Sequence, residues 1–191
     1  VTGQKDAKGD VGIAFRVIAD HLRSLSFAIA DGAFPSNEGR GYVLRRMLRR
    51  ATRYGRILDM HEPFIYKLVP VLSEVMGDAF PEIKKQQKHV QNVIKSEEKS
   101  FGLTLDRGLE IFEKIVSSPK NYESKLISGE DAFKLYDTYG FPIDLTKLMG
   151  EERGFGTDEN AFDKLMNEQR TRARESTKFK ISMDEWIEIS P

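Results

Sequence analysis

From Gly12 onward, apolar residues recur at three- and four-residue spacing: Ala14, Val17, Ile18, Leu22, Leu25, Ala28 and Ile29 share one helical face, with His21 beside it. This predicts a first helix to Ala30, closed by Asp31 and Gly32, with His21 as a half-buried packing residue. Arg16 and Asp20, four apart, are spaced to pair along its outer surface. A second helix carries Val43, Leu44, Met47, Leu48, Ala51, Tyr54 and Leu58 on one arc. Pro63 suits the first position of a third, whose packing face is Phe64, Ile65, Leu68, Val69, Leu72, Val75 and Met76, with a kink at Pro70 and an end at Gly77. After Pro81 a single stripe runs from Ile83 through Val90, Ile94, Phe101, Leu105 and Phe112 to Val116. Read as one element it is about 50 Å long, with Gly102 and Gly108 as bend points. A helix of that length needs neighbours along its stripe, and the preceding helices are the candidates.

Pro119 to Ile127 reads as a loop, and Ser128 with Asp131 as the capping start of a short helix through Tyr136. Gly140 and Pro142 then force a turn inside DTYGFPIDL, which leaves Asp137 at a helix end. Helix C-termini already carry partial negative charge, so an acid there needs another reason, a capping hydrogen bond or a ligand. A further helix to about Arg153 follows, and Thr157 is the predicted cap of a last one carrying Phe162, Leu165, Met166 and Ala173. RTRARESTK, Arg170 to Lys178, reads as a basic exit linker, and Ile181 to Ile189 turns weakly strand-like around Trp186. The pattern predicts an all-α helical bundle with one long helix and a short strand-like C-terminal tail. Residues 1–178 form the helical domain, and 179–191 a linker or the start of the next domain.

Charge alters this picture at one place. Arg40, Arg45, Arg46, Arg49, Arg50, Arg53 and Arg56 follow one another with no acid between Gly39 and Leu58, although the whole chain balances 30 basic against 30 acidic residues. At about 100° per residue, Arg45, Arg46, Arg49, Arg53 and Arg56 fall within a third of the circumference, with Arg50 at its border. A guanidinium stays charged at any cellular pH, and its planar fork matches paired phosphate oxygens. A polyanion site is one reading. A solvated face whose arginines pair with acids from elsewhere in the chain is the other, and composition leaves both open. Ahead of this helix, Pro35, Ser36 and Asn37 are turn and cap residue types, and Gly39 and Gly41 permit close backbone approach. First-turn N–H groups there could hold a phosphate, yet EGRG matches neither a Walker loop nor a dinucleotide fingerprint.

Length and composition set the remaining bounds: 191 residues, 39% hydrophobic and 31% charged, suit a helix-rich globular protein. Without cysteine there are no disulfides, thiolate zinc sites or thiol nucleophiles, and His21, His61 and His89 lack ligand spacing, so no metal site is predicted. No catalytic constellation stands out either. No apolar stretch is long enough to span a bilayer and the first residues lack a signal-peptide pattern, which makes the cytoplasm the default. A polar start at Val1 and a half-formed apolar pattern at Pro191 suggest a piece of a larger protein.

RVIADHLRSLSFAIADGAFPSNEGRGYVLRRMLRRATRYG, Arg16 to Gly55, closely resembles the helical tRNA-recognition segment of alanyl-tRNA synthetases. GEDAFKLYDTYGFPIDLT, Gly129 to Thr146, resembles the same family's later signature, in the right order. The resemblance covers nearly the whole chain and implies a region between a class II catalytic core and an editing domain. The parent would then join alanine to tRNA using ATP and Mg2+, with Zn2+ in the editing domain. This region would bind the alanine tRNA acceptor stem, with those two domains as partners in cis.

By the same resemblance, Asn37 in SNEGRG and Asp137 in LYDTYG match the residues that contact a G:U wobble pair near the end of that stem. Physical chemistry supports the match. The RNA minor groove is wide and shallow, and the wobble shift frees the exocyclic amino group of G. A carboxylate can accept that hydrogen, and an asparagine can donate or accept on the neighbouring edge. The arginines would hold flanking phosphates, which give affinity and register rather than sequence choice.

Two other classes compete. One is a helical protein-interaction scaffold whose basic amphipathic helix docks an acidic groove. The other is a membrane-surface or calmodulin-type helix, which would need the apolar arc that the neighbouring helices require for their core.

Overall fold

The computed structural model of the chain describes residues 9–183, with side chains through residue 172. Among these residues are eight helices and two short strands, in the order α1 (Asp10–Ala30), α2 (Gly39–Ile57), α3 (Ile65–Met76), α4 (Pro81–Val116), α5 (Pro119–Ser124), β1 (Leu126–Ile127), α6 (Gly129–Tyr139), α7 (Ile143–Glu152), β2 (Gly156–Thr157) and α8 (Glu159–Met183). The all-α expectation holds. The chain divides into two compact units, Val1–Leu109 and Glu110–Pro191.

In the first unit α1 packs on α2 and α3. The predicted stripes form its core: Ala14, Leu25 and Ile29 of α1 and Leu48 and Ala51 of α2 are fully buried, and Tyr54 nearly so. Each such leucine or isoleucine contributes about 1.5–3 kcal/mol by leaving water, and trimming Leu25 or Leu48 to alanine should cost about 2–5 kcal/mol. Asp20 pairs with Arg23, 2.9 Å away and three residues on, rather than with Arg16. The stripe after Pro81 folds as one helix of 36 residues, about 54 Å long.

α3 starts differently from the sequence expectation. Pro63 is not its first residue, because Phe64 takes the N-cap position and Ile65 opens the helix. The reason lies in α4. Glu98, only 1% exposed, points its carboxylate at the start of α3 and accepts the N–H groups of Phe64, Ile65 and Tyr66 at 3.0, 3.0 and 3.1 Å. A long-range carboxylate thus supplies the cap that the local sequence lacks. Burial pushes the Glu98 carboxyl above the ordinary glutamate value, with the three N–H donors and Lys67 pulling the other way.

The second unit holds α5 to α8. Inside the predicted loop, extended Ser118 and Pro119 at the first helical position start α5, and β1 follows. β1 pairs in parallel with β2, Leu126 against Gly156 and Ile127 against Thr157. Ser128 caps α6 as predicted, accepting the Asp131 N–H at 3.1 Å. The helix runs beyond Tyr136 to Tyr139 and ends on left-handed Gly140. α7 ends at Glu152, with Arg153 as its C-cap. Thr157 does not cap α8, since β2 takes it; Asp158 does so instead, its Oδ1 accepting the Ala161 N–H at 3.0 Å.

The Arg170–Lys178 segment, expected as a linker, lies within α8, which continues to Met183. Its polarity suggested an exit, but arginine, alanine, glutamate and lysine are all good helix formers. The strand-like expectation around Trp186 falls outside the described residues.

Candidate nucleic-acid interface

The loop before α2 is held tightly. Ser36 N–H donates to the Gly41 carbonyl at 3.0 Å, and Ser36 Oγ donates to the Glu38 carbonyl at 2.8 Å. A β-carbon on Gly41 would stand 2.2 Å from the Phe34 carbonyl oxygen, so only glycine fits there. Gly39 has φ +58, a left-handed conformation that also favours glycine. These constraints present Asn37 as an exposed residue at the head of α2. Arg45, two turns along, donates from Nη1 to Asn37 Oδ1. A guanidinium has no acceptor, so the oxygen of the amide must face it, and the two N–H donors of Asn37 point away.

The arginine face faces inward more than composition suggested. Arg49 donates from Nε and Nη2 to Glu97 Oε1 at 3.1 and 3.0 Å and lies over the Phe101 ring at 5.2 Å. Arg45 Nε stands 3.0 Å from the same oxygen, without the alignment of a hydrogen bond. Glu97 is 11% exposed and sits between both guanidinium groups. Arg56 donates to Asp106 Oδ1 at 2.6 Å and Oδ2 at 3.3 Å, and to the Met60 carbonyl at 2.7 Å.

The others differ among themselves. Arg53 stacks on Tyr54 at 5.1 Å, and Arg50, with a buried Nε, lowers the pKa of neighbouring His21 on top of the effect of burial. Arg40 is exposed and Arg46 half-buried. Arg45, Arg49 and Arg56 therefore meet carboxylates of α4. The charge of each of these three guanidinium groups is opposed.

Asp137 lies in the second unit, exposed in the last turn of α6. Gln169 of α8 donates from Nε2 to Asp137 Oδ1. Its role is not that of a helix cap, because Gly140 and Phe141 supply the N–H groups that close the helix onto Tyr136 and Leu135. Oδ2 keeps its acceptor capacity.

Sequence reasoning did not single out Glu97, Glu98, Asp106 or Gln169. A signal was present for the first two: paired acids interrupt an otherwise apolar stripe directly after the acid-free run from Ile83 to Ser96. A groove of about 410 Å3 beside Arg45 is lined by Phe34 and Pro35 on one side and Asn92, Val93 and Ser96 on the other. Among the described residues no group of three or more His, Asp or Glu side chains could hold a metal ion, and no helix is long and apolar enough to cross a membrane.

Residues 1–189 match the family described as tRNA synthetases class II (A). The alanine-tRNA ligase of Chlorobaculum tepidum is 56% identical over 194 residues, covering all of this chain and 22% of the relative. That of Christiangramia forsetii is 52% identical over 193 residues, again the whole chain and 22% of the relative. The Bacillus subtilis ligase is 49% identical over 175 residues, 91% of this chain and 20% of its own length. The chain thus spans about a fifth of the curated relatives it matches. With a match along nearly its full length and relatives identical at half their aligned positions, this chain belongs to the tRNA synthetases class II (A).

Proposed function

We propose that this chain is the part of an alanine-tRNA ligase that binds the tRNA acceptor stem, and that Asn37 and Asp137 read its G:U wobble pair. The observation that carries the reading is how these two side chains are presented. Both are exposed, and each has one polar atom taken by a neighbour, Arg45 for Asn37 and Gln169 for Asp137. What remains is complementary to the edge of the wobble pair. Asn37 offers N–H donors to base acceptors in the minor groove, and Asp137 offers a carboxylate oxygen to the unpaired amino group of G.

Arg40, Arg45, Arg46, Arg49, Arg50, Arg53 and Arg56, all on α2, are the candidate phosphate ligands. In the full-length protein, alanine activation with ATP and Mg2+ and zinc-bearing editing would belong to domains joined in cis, acting in the cytoplasm. The residues described here supply recognition. A binding series with the full-length protein, on acceptor-stem hairpins that differ only in a G:U or G:C pair at one salt concentration, tests the reading. Asn37→Ala or Asp137→Ala should erase most of the preference for G:U. Undiminished preference in both variants would overturn it.

A further inference from the structure

The arginines drew attention through their density, yet α4 carries a second basic surface. From Ile83 to Ser96 this helix contains no acid. Lys84, Lys85, Lys88, Lys95 and Lys99 fall within roughly 100° of its circumference, and all are exposed. The opposite arc, with Ile83, Val90, Ile94, Glu98 and Phe101, is buried. Asp78 pairs with Lys84 at 2.5 Å. Lys85, Lys88, Lys95 and Lys99 meet no carboxylate among the described residues. Lys95 lies over the Tyr66 ring at 5.0 Å, and Lys67 lies over the same ring at 5.8 Å, which extends the basic surface onto α3.

The contrast with α2 is electrostatic. There the acids of α4, Glu97 and Asp106, oppose three guanidinium groups before any ligand arrives. A phosphate reaching Arg49 competes with a carboxylate already in place, whereas one reaching Lys88 or Lys99 displaces only water and counterions. The release of counterions is what drives sequence-independent binding and its salt dependence. Lys95 and Lys99 are one helical turn apart, about 6 Å along the axis, and Lys88 stands two turns before Lys95, so the charges form a track rather than a point.

Resting on the RNA-binding reading above, we propose that the lysine face of α4, Lys85, Lys88, Lys95 and Lys99, is the main phosphate-binding surface of the first unit, and that it holds a backbone strand of the bound RNA. The paired arginines Arg45, Arg49 and Arg56 then serve chiefly to organise Asn37 and the contact with α4. An acidic protein surface is the competing occupant. The proposed function favours nucleic acid, and a row of hydrated ammonium groups along one helix face suits a repeating polyanion.

The test replaces Lys88, Lys95 and Lys99 together by Gln in the full-length protein. These positions are exposed, and lysine and glutamine have similar helix propensity, so the fold should persist. Binding to the acceptor-stem hairpin is measured across salt, beside an Arg45, Arg49, Arg56→Gln variant and the unaltered protein. Three lost phosphate contacts, at about 0.7–0.9 each, lower the slope of log affinity on log salt by about 2 to 3. Between about 50 and about 200 mM salt the unaltered protein should then lose roughly 30-fold more affinity than the lysine variant.

The preference for G:U over G:C should survive in the lysine variant, and the arginine variant should keep most of its salt slope. An unchanged slope in the lysine variant, with RNA bound and G:U still preferred, overturns this proposal and leaves the recognition reading intact. If the unchanged slope comes with a lower melting temperature of the RNA-free protein, the lysines hold an acidic surface of the protein itself, which also overturns it. No binding of the hairpin by the unaltered protein overturns both readings.

Discussion

Asp137 gives the sharpest quantitative test of recognition, because its surroundings fix how much it can contribute. It is exposed, and Gln169 takes Oδ1, so one oxygen remains for one hydrogen bond from the amino group of G. A hydrogen bond to a charged acceptor is worth about 1.5–3 kcal/mol. At about 1.4 kcal/mol per factor of ten, Asp137→Ala should weaken binding to a G:U stem by about 10- to 150-fold. In a G:C pair the amino group is already bonded to C, so the same change should cost several-fold at most. Asp137→Asn is milder: Gln169 can rotate its amide to receive the new N–H, which leaves a neutral oxygen facing the ligand. Roughly half of the energy is then lost, about 1 kcal/mol or fivefold. Gln169→Ala, which frees Asp137 to rotate, should reduce the preference without abolishing it. The assay is equilibrium binding of the full-length protein to paired G:U and G:C hairpins at fixed salt. Equal losses on both stems for Asp137→Ala would refute base reading and leave Asp137 as a residue that orders α6 and α8.

Four further outcomes follow from the buried and paired charges. Glu97→Gln should steepen the salt slope of RNA binding by up to about one unit, since the carboxylate that faces Arg45 and Arg49 loses its charge, while G:U preference falls because Glu97 no longer holds Arg45 against Asn37; an unchanged slope and preference would dismiss Glu97 as an organiser. Glu98→Gln places an amide N–H against the Tyr66 N–H and should cost about 1–3 kcal/mol, read as roughly 5- to 150-fold faster hydrogen exchange in the first turn of α3. Burial raises the Glu98 pKa in the fold, so the folded state binds the extra proton: stability falls as pH rises from the ordinary glutamate value through the raised one, and Glu98→Gln should remove that fall in a pH series of unfolding curves. His21 has the opposite sign, because burial and then Arg50 lower its pKa: stability is lost as pH falls through the ordinary histidine value, and His21→Gln should flatten that limb.

The helices were legible because burial follows period. Ala14, Ile18, Leu22, Leu25 and Ile29 were read as one face and form one. The Ser128 cap was legible because it is local, with donor and acceptor three residues apart. What the sequence concealed was long-range polar pairing. The α3 cap comes from a residue more than thirty positions later, and nothing in HEPFIY points to it. Thr157 was a reasonable cap until a two-residue strand claimed it, and Asp158 beside it does the same chemistry. In the candidate site, motif resemblance points to Asn37 and Asp137, whereas the partners that orient them, Arg45 and Gln169, lie 8 and 32 positions away and meet them only in the fold. The arginines show the limit most clearly: the phase of α2 placed them on one face, but whether that face met acids depended on where α4 lay.

Why α2 carries arginine and α4 lysine follows from what each cation can do. Each of the paired arginines serves two partners at once: Arg45 joins Glu97 to Asn37, Arg49 joins Glu97 to the Phe101 ring, and Arg56 joins Asp106 to the Met60 carbonyl. Only a rigid fork with five N–H groups can hold such bridges in a fixed plane. A lysine at position 45 could neutralise Glu97 or reach Asn37, but it could not orient the amide while doing both. The lysines of α4 face no such demand. The ammonium groups of Lys85, Lys88, Lys95 and Lys99 are compact and hydrated, which suits the proposed contacts that would form and break with RNA. Arg→Lys in α2 should therefore damage recognition although the charge is kept, while Lys→Arg along α4 should preserve the salt dependence. Equal tolerance of both exchanges would mean that charge alone, and not the division between an organising helix and a phosphate-binding one, accounts for the two basic surfaces.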